Sequence, residues 1–154
     1  MKLKVFLFLF LCLLSTFSVW AGSQKYSFYY SQKLNEGISQ LSVMTICQDT
    51  RGYLWLGTRN GLNRYNGSGY TVFRHHPGDS LSLADNEIND ICEDRENYLW
   101  IATSRGLSRM CLRTEHIRNY FVPDGLPNTG ILSLLADTSG RVWIGTRGGL
   151  CRYL

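Results

Sequence analysis

The sequence predicts an all-β fold assembled from three repeats of short antiparallel strands, and three observations predict it. The stretches "GYLWLGTRNGLNRYN", "NYLWIATSRGLSRMC" and "GRVWIGTRGGLCRYL" stand at 52–66, 97–111 and 140–154. Trp55, Trp100 and Trp143 lie 45 and 43 residues apart, and Asp49, Asp94 and Asp137 keep the same spacings, as do Gly61, Gly106 and Gly149. Nothing between these landmarks sustains helical periodicity, and a period of roughly 40–50 residues is the mark of a repeat architecture.

Each unit opens on a mostly apolar run that ends in aspartate, "VMTICQD", "INDICED" or "ILSLLAD". The four residues that follow read as a tight turn whose Asp side chain accepts from turn amides. Gly52, Asn97 and Gly140 fall where such a turn needs a left-handed residue, Gly first and Asn next. The second strand carries the tryptophan, and Gly57, Ala102 and Gly145 stay small two residues after it, on the same side of the strand. A neighbouring sheet can then approach closely. A further tight turn is expected at Asn60-Gly61, Arg105-Gly106 and Gly148-Gly149, with a third strand beginning at each Gly-Leu pair.

The fourth strand is read in the aromatic segments "YTVFRH" (70–75) and "HIRNYF" (116–121), with "KYSFYY" (25–30) as their counterpart ahead of the first unit. Four antiparallel strands in about 45 residues make one blade of a β-propeller. The chain thus divides into a leader at 1–21 and a partial propeller at 22–154, with units at about 26–69, 70–115 and 116–154. An unrelated β-sandwich would not hold Trp, Gly and Asp in a common register.

The leader has Lys2 and Lys4, an unbroken apolar run over 5–14 and a Val19-Trp20-Ala21 ending. That pattern predicts a secretory signal peptide cleaved near Ala21, and hence an exported or periplasmic chain. The run is short against the roughly 20 residues of a bilayer span. Losing Lys2 and Lys4 from 16 basic side chains leaves 14 against 12 acidic ones, a net charge of +2. A balance so even offers no electrostatic footprint for nucleic acid. Cys47 and Cys92 share a repeat position with Leu135, as a small buried hydrophobe would, and no Cys/His spacing suits a metal. Neither metal nor cofactor is expected.

The run of apolar strand, D-x-x-G, L-W-I-G-T, two residues and G-L-x-R-Y, seen from Asp49 to Tyr65, resembles the two-component regulator propeller repeat of the periplasmic sensor regions of hybrid histidine kinases. The second unit departs from it at Asn97, Ala102 and Met110, and the third matches from Asp137 to Tyr153. The segments "NEGISQLSV", "HHPGDSLSLADNEI" and "PDGLPNTGI" are similar to the family's connecting loops. The resemblance implies a propeller that detects glycan fragments outside the inner membrane and signals to a kinase. No kinase motif, receiver aspartate or second apolar span follows, so the reading is an N-terminal fragment of such a sensor, not itself an enzyme, that reaches the membrane only through an absent part. The three blades are expected to be completed by missing blades of the same propeller or by a second copy, and 25–30 to close the last blade in a whole ring.

Loops before each first strand and turns between the second and third strands share one face, where ligands usually meet propellers. Candidate ligand-binding residues there are Arg59, Asn60, Arg105 and Arg147, His75, His76, Asp79, Asp85 and Asn86 on the long loop, and Asn128 on the shorter one. Arg forks and planar amides suit the hydroxyls or carboxylates of an oligosaccharide. Trp55, Trp100 and Trp143 are assigned to packing between blades, and Arg64, Arg109 and Arg152 to scaffold. Two other readings stand beside the sensor: a secreted propeller enzyme of lyase or glycosidase type, and a protein-interaction half-propeller. Catalysis would need an oriented His or paired carboxylates, and His75, His76 and His116 do not recur between units.

Overall fold

The computed structural model describes residues 27–154, so the leader, with its cleavage site, and Lys25-Tyr26 lie outside the described residues. The chain divides into units 1–31 and 32–154, and every strand lies in the second. Residues 27–30 carry no strand, so the aromatic stretch foreseen as a strand at 25–30 does not form one over its described part.

Three antiparallel sheets follow in chain order. The first has β1 (Val43–Gln48), β2 (Leu54–Thr58), β3 (Gly61–Tyr65) and β4 (Tyr70–Phe73). The second has β5 (Ile88–Glu93), β6 (Tyr98–Thr103), β7 (Gly106–Cys111) and β8 (Ile117–Tyr120), and the third β9 (Ile131–Ala136), β10 (Val142–Thr146) and β11 (Gly149–Tyr153). Strands pair with their chain neighbours throughout, which makes each sheet a propeller blade of meander topology. β4 and β8 belong to the sheet before them, so sequence units that start at 70 and 116 are offset from the sheets by one strand.

Local chemistry explains the turns. Gly52 (φ 88°), Asn97 (φ 62°) and Gly140 (φ 83°) occupy the left-handed region between the first and second strands of their blades. Between the second and third strands the loop is Arg59-Asn60, one residue earlier than the sequence suggests, because Thr58 pairs with Gly61. The threonine clamps it: Thr58 Oγ1 donates to the Gly61 carbonyl (2.9 Å) and accepts from the Asn60 amide (3.0 Å). Thr103 and Thr146 do the same in their blades, donating to Gly106 and Gly149 at 2.7 and 2.8 Å. Each inner strand also carries a bulge at one shared position, that of Met44, Asn89 and Leu132.

The core lies between blades. Trp55 and Leu62 of the first blade pack against Ile88, Ile91, Leu99 and Ile101 of the second. On its other side the second blade offers Trp100, Ala102 and Leu107 to Ile131, Val142 and Ile144 of the third. β6 is therefore buried on both faces, with Leu99 and Ile101 toward one neighbour and Trp100 and Ala102 toward the other. Gly57 is small for a measurable reason, since a Cβ there would stand 2.6 Å from Ile88 Cγ2.

The tryptophans are tied to the turns by a bond that the sequence pattern leaves unstated. Trp55 Nε1 donates to Asp49 Oδ2 at 3.0 Å, Trp100 to Asp94 at 2.7 Å and Trp143 to Asp137 at 3.0 Å. The other oxygen of each Asp accepts two turn amides, such as those of Arg51 and Tyr53 for Asp49. Polar links also join the inner strands: Asp90 accepts from Thr45 Oγ1 (3.1 Å) with one oxygen and from the Leu134 amide (2.8 Å) with the other. One carboxylate thus bridges all three blades.

Candidate functional site

Because Val43 pairs with Thr58, the start of each inner strand lies beside the turn that ends the second strand. The loops 74–87 and 121–130 and the turns at Arg59 and Arg105 consequently share one face. The long loop is fastened there at both ends. The His75 amide donates to Asn86 Oδ1 (2.8 Å), the Asn86 carbonyl accepts from the Gly61 amide (2.8 Å), and the His76 amide donates to Ser82 Oγ (2.9 Å).

Charges on this face are partly matched to each other. Arg59 Nε stands 3.5 Å from Glu87 Oε1, and Arg105 Nε 4.0 Å from Asp85 Oδ2. Both pairs are solvent-exposed and contribute little to stability, but they leave these arginines less free for an anionic ligand. Asn60 Nδ2 donates to the Ser39 carbonyl (3.2 Å), and Asn128 Oδ1 accepts from the Gly130 amide (2.8 Å). Arg147 lies along Gly130, donating its amide to the Gly130 carbonyl at 3.0 Å.

The long loop and β8 enclose a cavity of about 580 Å³, lined among others by His75, Asp79, Leu81, Arg118, Asn119 and Phe121. Its size falls in the range of small-molecule pockets, roughly 300–1,000 Å³. Of the sequence-nominated residues only His75 and Asp79 line it; Arg59, Asn60, His76, Asp85, Asn86, Arg105, Asn128 and Arg147 do not. Arg118, Asn119 and Phe121 escaped the sequence reading because they stand on or beside an outer strand, away from the loops where ligands were sought.

The cavity is braced by its own hydrogen bonds. Asn119 Nδ2 donates to the Ser82 carbonyl (2.8 Å) and its Oδ1 accepts from Ser108 Oγ (2.7 Å), which in turn accepts from the Ala84 amide (3.0 Å). The Phe121 amide donates to Asp124 Oδ2 at 2.8 Å, and the residue is 38% exposed. Its edge crowds Gly106, where a Cβ would meet Phe121 Cε1 at 2.8 Å, so the repeat glycine also seats the aromatic wall.

Three polar groups are left for a ligand. His75 Nδ1 lies 2.6 Å from the Leu83 carbonyl, which can only accept, so Nδ1 carries hydrogen and Nε2 of the neutral ring is an acceptor. The Asp79 carboxylate accepts the Leu81 amide on Oδ1 (2.9 Å), which leaves Oδ2 for a ligand. Arg118 stacks over the Tyr120 ring (5.1 Å) and has no acidic partner within 4.0 Å among the described residues. A planar cation, a carboxylate, an imidazole acceptor and an exposed ring can hold a polyhydroxylated molecule that has one apolar face. Among the described residues no group of three or more His, Cys, Asp or Glu is arranged to hold a metal ion.

Asp49 and Asp137 are occupied elsewhere. Burial pushes the Asp49 carboxyl up, but the Trp55 indole, Arg51 and the Tyr53 amide outweigh it and hold it below the usual range. Asp137 is held well below that range, first by the Trp143 indole and then by Arg141 and turn amides. Carboxylates so satisfied are structural anions, not proton-transfer groups. The four cysteines among the described residues are free thiols: burial raises Cys47 and Cys151 and pushes Cys92 up to about 12, whereas hydrogen bonds from Thr114 and Arg113 lower Cys111.

The family model of the two component regulator propeller matches residues 37–60, 82–105 and 125–148, each match running from the connecting loop to the second-strand turn. A histidine kinase P4 of Formosa agariphila is 47% identical over 49 residues, which are 32% of this chain and 4% of that protein. Two extracellular domains of hybrid two component systems of B. thetaiotaomicron share the fold. One superposes with a TM-score of 0.69 at 24% identity, covering 80% of this chain and 20% of that one. The other gives 0.57 at 31% identity, covering 71% and 16%. The chain therefore spans a fifth or less of these relatives. The likeness is to extracellular domains of two component systems. No helix among the described residues is long and apolar enough to cross a membrane.

Proposed function

We propose that this chain, which carries three repeats of the two-component regulator propeller family, serves in the ligand-sensing propeller of a hybrid two-component sensor, exported by its leader and binding glycan fragments. The observation that carries the ligand class is the cavity between the long loop and β8. It sets the exposed Phe121 ring beside His75, Asp79 and Arg118, three polar groups of different character without full partners. A pyranose offers the same mixture, an apolar C–H face with hydroxyls at its rim. The other nominated residues, Arg59, Asn60, His76, Asn86, Arg105, Arg147 and Asn128, lie outside this cavity and would be met only by a longer oligosaccharide.

Calorimetric titration of neutral and uronate-containing oligosaccharides into the secreted chain tests this reading. Binding by at least one glycan class is expected, weakened about tenfold or more in Phe121→Ala and Arg118→Ala, which corresponds to about 1.4 kcal/mol. Absence of heat with every class, from protein whose circular dichroism reports folded sheet, refutes it. Phe121→Ala and Arg118→Ala variants that bind as tightly as the parent would place the glycan elsewhere on the face.

A further inference from the structure

We infer that Asn66 is a site of spontaneous covalent modification, where the Gly67 backbone amide displaces the side-chain amide as ammonia through a cyclic imide that water reopens to aspartate or isoaspartate. The sequence holds two Asn-Gly pairs, Asn60-Gly61 and Asn66-Gly67. Such pairs favour this reaction because glycine has no side chain to hinder attack by its own nitrogen. The two pairs share a chemistry and differ in what the fold does with them.

Asn60-Gly61 is held in place. The Gly61 amide, which would have to attack, donates to the Asn86 carbonyl at 2.8 Å, and Gly61 is buried. Asn60 Nδ2, which would have to leave, donates to the Ser39 carbonyl at 3.2 Å, while the Asn60 backbone amide is bound to Thr58 Oγ1 at 3.0 Å. A Cβ on Gly61 would meet the Phe73 carbonyl oxygen at 2.7 Å, so the backbone there has no room to turn. Ring closure at Asn60 must first break these bonds.

Asn66-Gly67 is free in each of these respects. It stands in the turn between β3 and β4, and both residues are exposed. Among the described residues neither the Gly67 amide nor Asn66 Nδ2 has a hydrogen-bond partner, and a Cβ on Gly67 would meet nothing within 4 Å. Asn66 Oδ1, by contrast, is bound where the reaction needs it: it accepts from the Ser68 amide, the Ser68 hydroxyl and the Gly69 amide, each at 2.9 Å. As the Gly67 nitrogen bonds to Cγ, negative charge collects on Oδ1, and these donors already face it. The Gly67 proton passes to water, and the Cγ–Nδ2 bond breaks to release ammonia. Water then adds to one imide carbonyl as that carbon's bond to the Gly67 nitrogen breaks. Addition at Cγ gives aspartate, which keeps the acceptor. Addition at the backbone carbonyl gives isoaspartate, which lengthens the main chain by one methylene beside the bond from the Asn66 amide to the Gly69 carbonyl (3.2 Å).

Peptide mapping by mass spectrometry of the secreted chain, incubated at mildly alkaline pH in water enriched in heavy oxygen, tests the inference. Asn66 is expected to convert at least about tenfold faster than Asn60, which must first give up the bonds to Asn86 and Ser39. Heavy oxygen should enter at residue 66, with both aspartate and isoaspartate formed. In urea strong enough to unfold the sheets, the two pairs are expected to react at similar rates. Ser68→Ala removes one donor from an exposed turn and is expected to slow Asn66 severalfold while leaving Asn60 unchanged. Equal rates at the two asparagines of the folded protein overturn the inference. An Asn66 advantage that persists in urea also overturns it, since the difference would then belong to the neighbouring sequence and not to the fold. An Asn66 rate indifferent to Ser68→Ala overturns the part assigned to the donors on Oδ1.

Discussion

The first and third blades have nearly the same groove, yet Trp55 is fully buried whereas Trp143 is only half-buried and Leu150 is 68% exposed where Leu62 is 0%. Sequence inside a blade does not account for this, since Trp, Gly, Leu and the Asp–Trp bond are common to both. The difference is the neighbour: Ile88, Leu99 and Ile101 cover one groove, and among the described residues nothing covers the other. A repeat residue's energetic weight is therefore set by the next blade more than by its own, as expected when units bury their faces only against each other.

The largest test of that contrast is truncation of the two tryptophans. Trp55→Ala removes a ring with 0% exposure and should cost about 3–5 kcal/mol. Trp143→Ala, at a ring only partly covered, should cost less, about 1–3 kcal/mol. Urea unfolding of both variants as dilute protein measures the gap; equal losses would mean the blades are stabilised individually.

A chemical probe gives the next largest effect. Cys92 stands at the rim of the filled groove, and burial pushes its thiol to about 12, whereas Cys111 at the end of β7 is lowered by Thr114 and Arg113. Only the thiolate reacts, so at pH 8 alkylation of Cys92 should run at least about 100-fold slower than that of Cys111. Mass spectrometry of a timed reaction, with peptide mapping, reads the ratio. Comparable rates would show that the second and third blades separate readily.

Steric crowding supplies a third test. Gly57→Val places its side chain into Ile88 and Thr45 and should destabilise by about 1–3 kcal/mol. At Gly145 a Cβ would stand 2.4 Å from the Ser133 hydroxyl, which can rotate away, and 3.7 Å from Ser133 Cβ and its carbonyl, so Gly145→Val should cost less, under about 1 kcal/mol. Thermal unfolding of the pair decides; a larger loss at Gly145 would mean that its groove is not open in solution.

These tests also mark where the sequence was legible. Strand order and blade class follow from spacing alone, and Asn97 announces its left-handed turn by standing where Gly52 and Gly140 do, because few residues tolerate that φ. The clamps by Thr58, Thr103 and Thr146 could have been found, since threonine recurs at one offset before each turn. Asp90 could not: only blade-to-blade geometry shows a single carboxylate bridging three inner strands, and its counterparts are Thr45 and Ser133. The cavity was half legible. His75 and Asp79 lie on the suspected loop, but Arg118 and Phe121 join them only because the loop folds outward over β8.

The smallest effect concerns protons, and it separates the two grooves once more. Asp49 and Asp137 have carboxyls depressed in the folded state, mainly through the indoles they accept from, against an unfolded value of about 3.9. A depressed acid contributes stability that is complete above the unfolded value and is lost as pH falls through the lower, folded one. Melting temperature should therefore be level from pH 7 to about 5 and decline below about 4. Asp49→Asn should flatten that decline more than Asp137→Asn, because Asp49 is 4% exposed beneath a filled groove while Asp137 faces water that screens its partners. If both substitutions flatten the profile equally, the turn alone governs these carboxylates, and the covering blade contributes nothing to them.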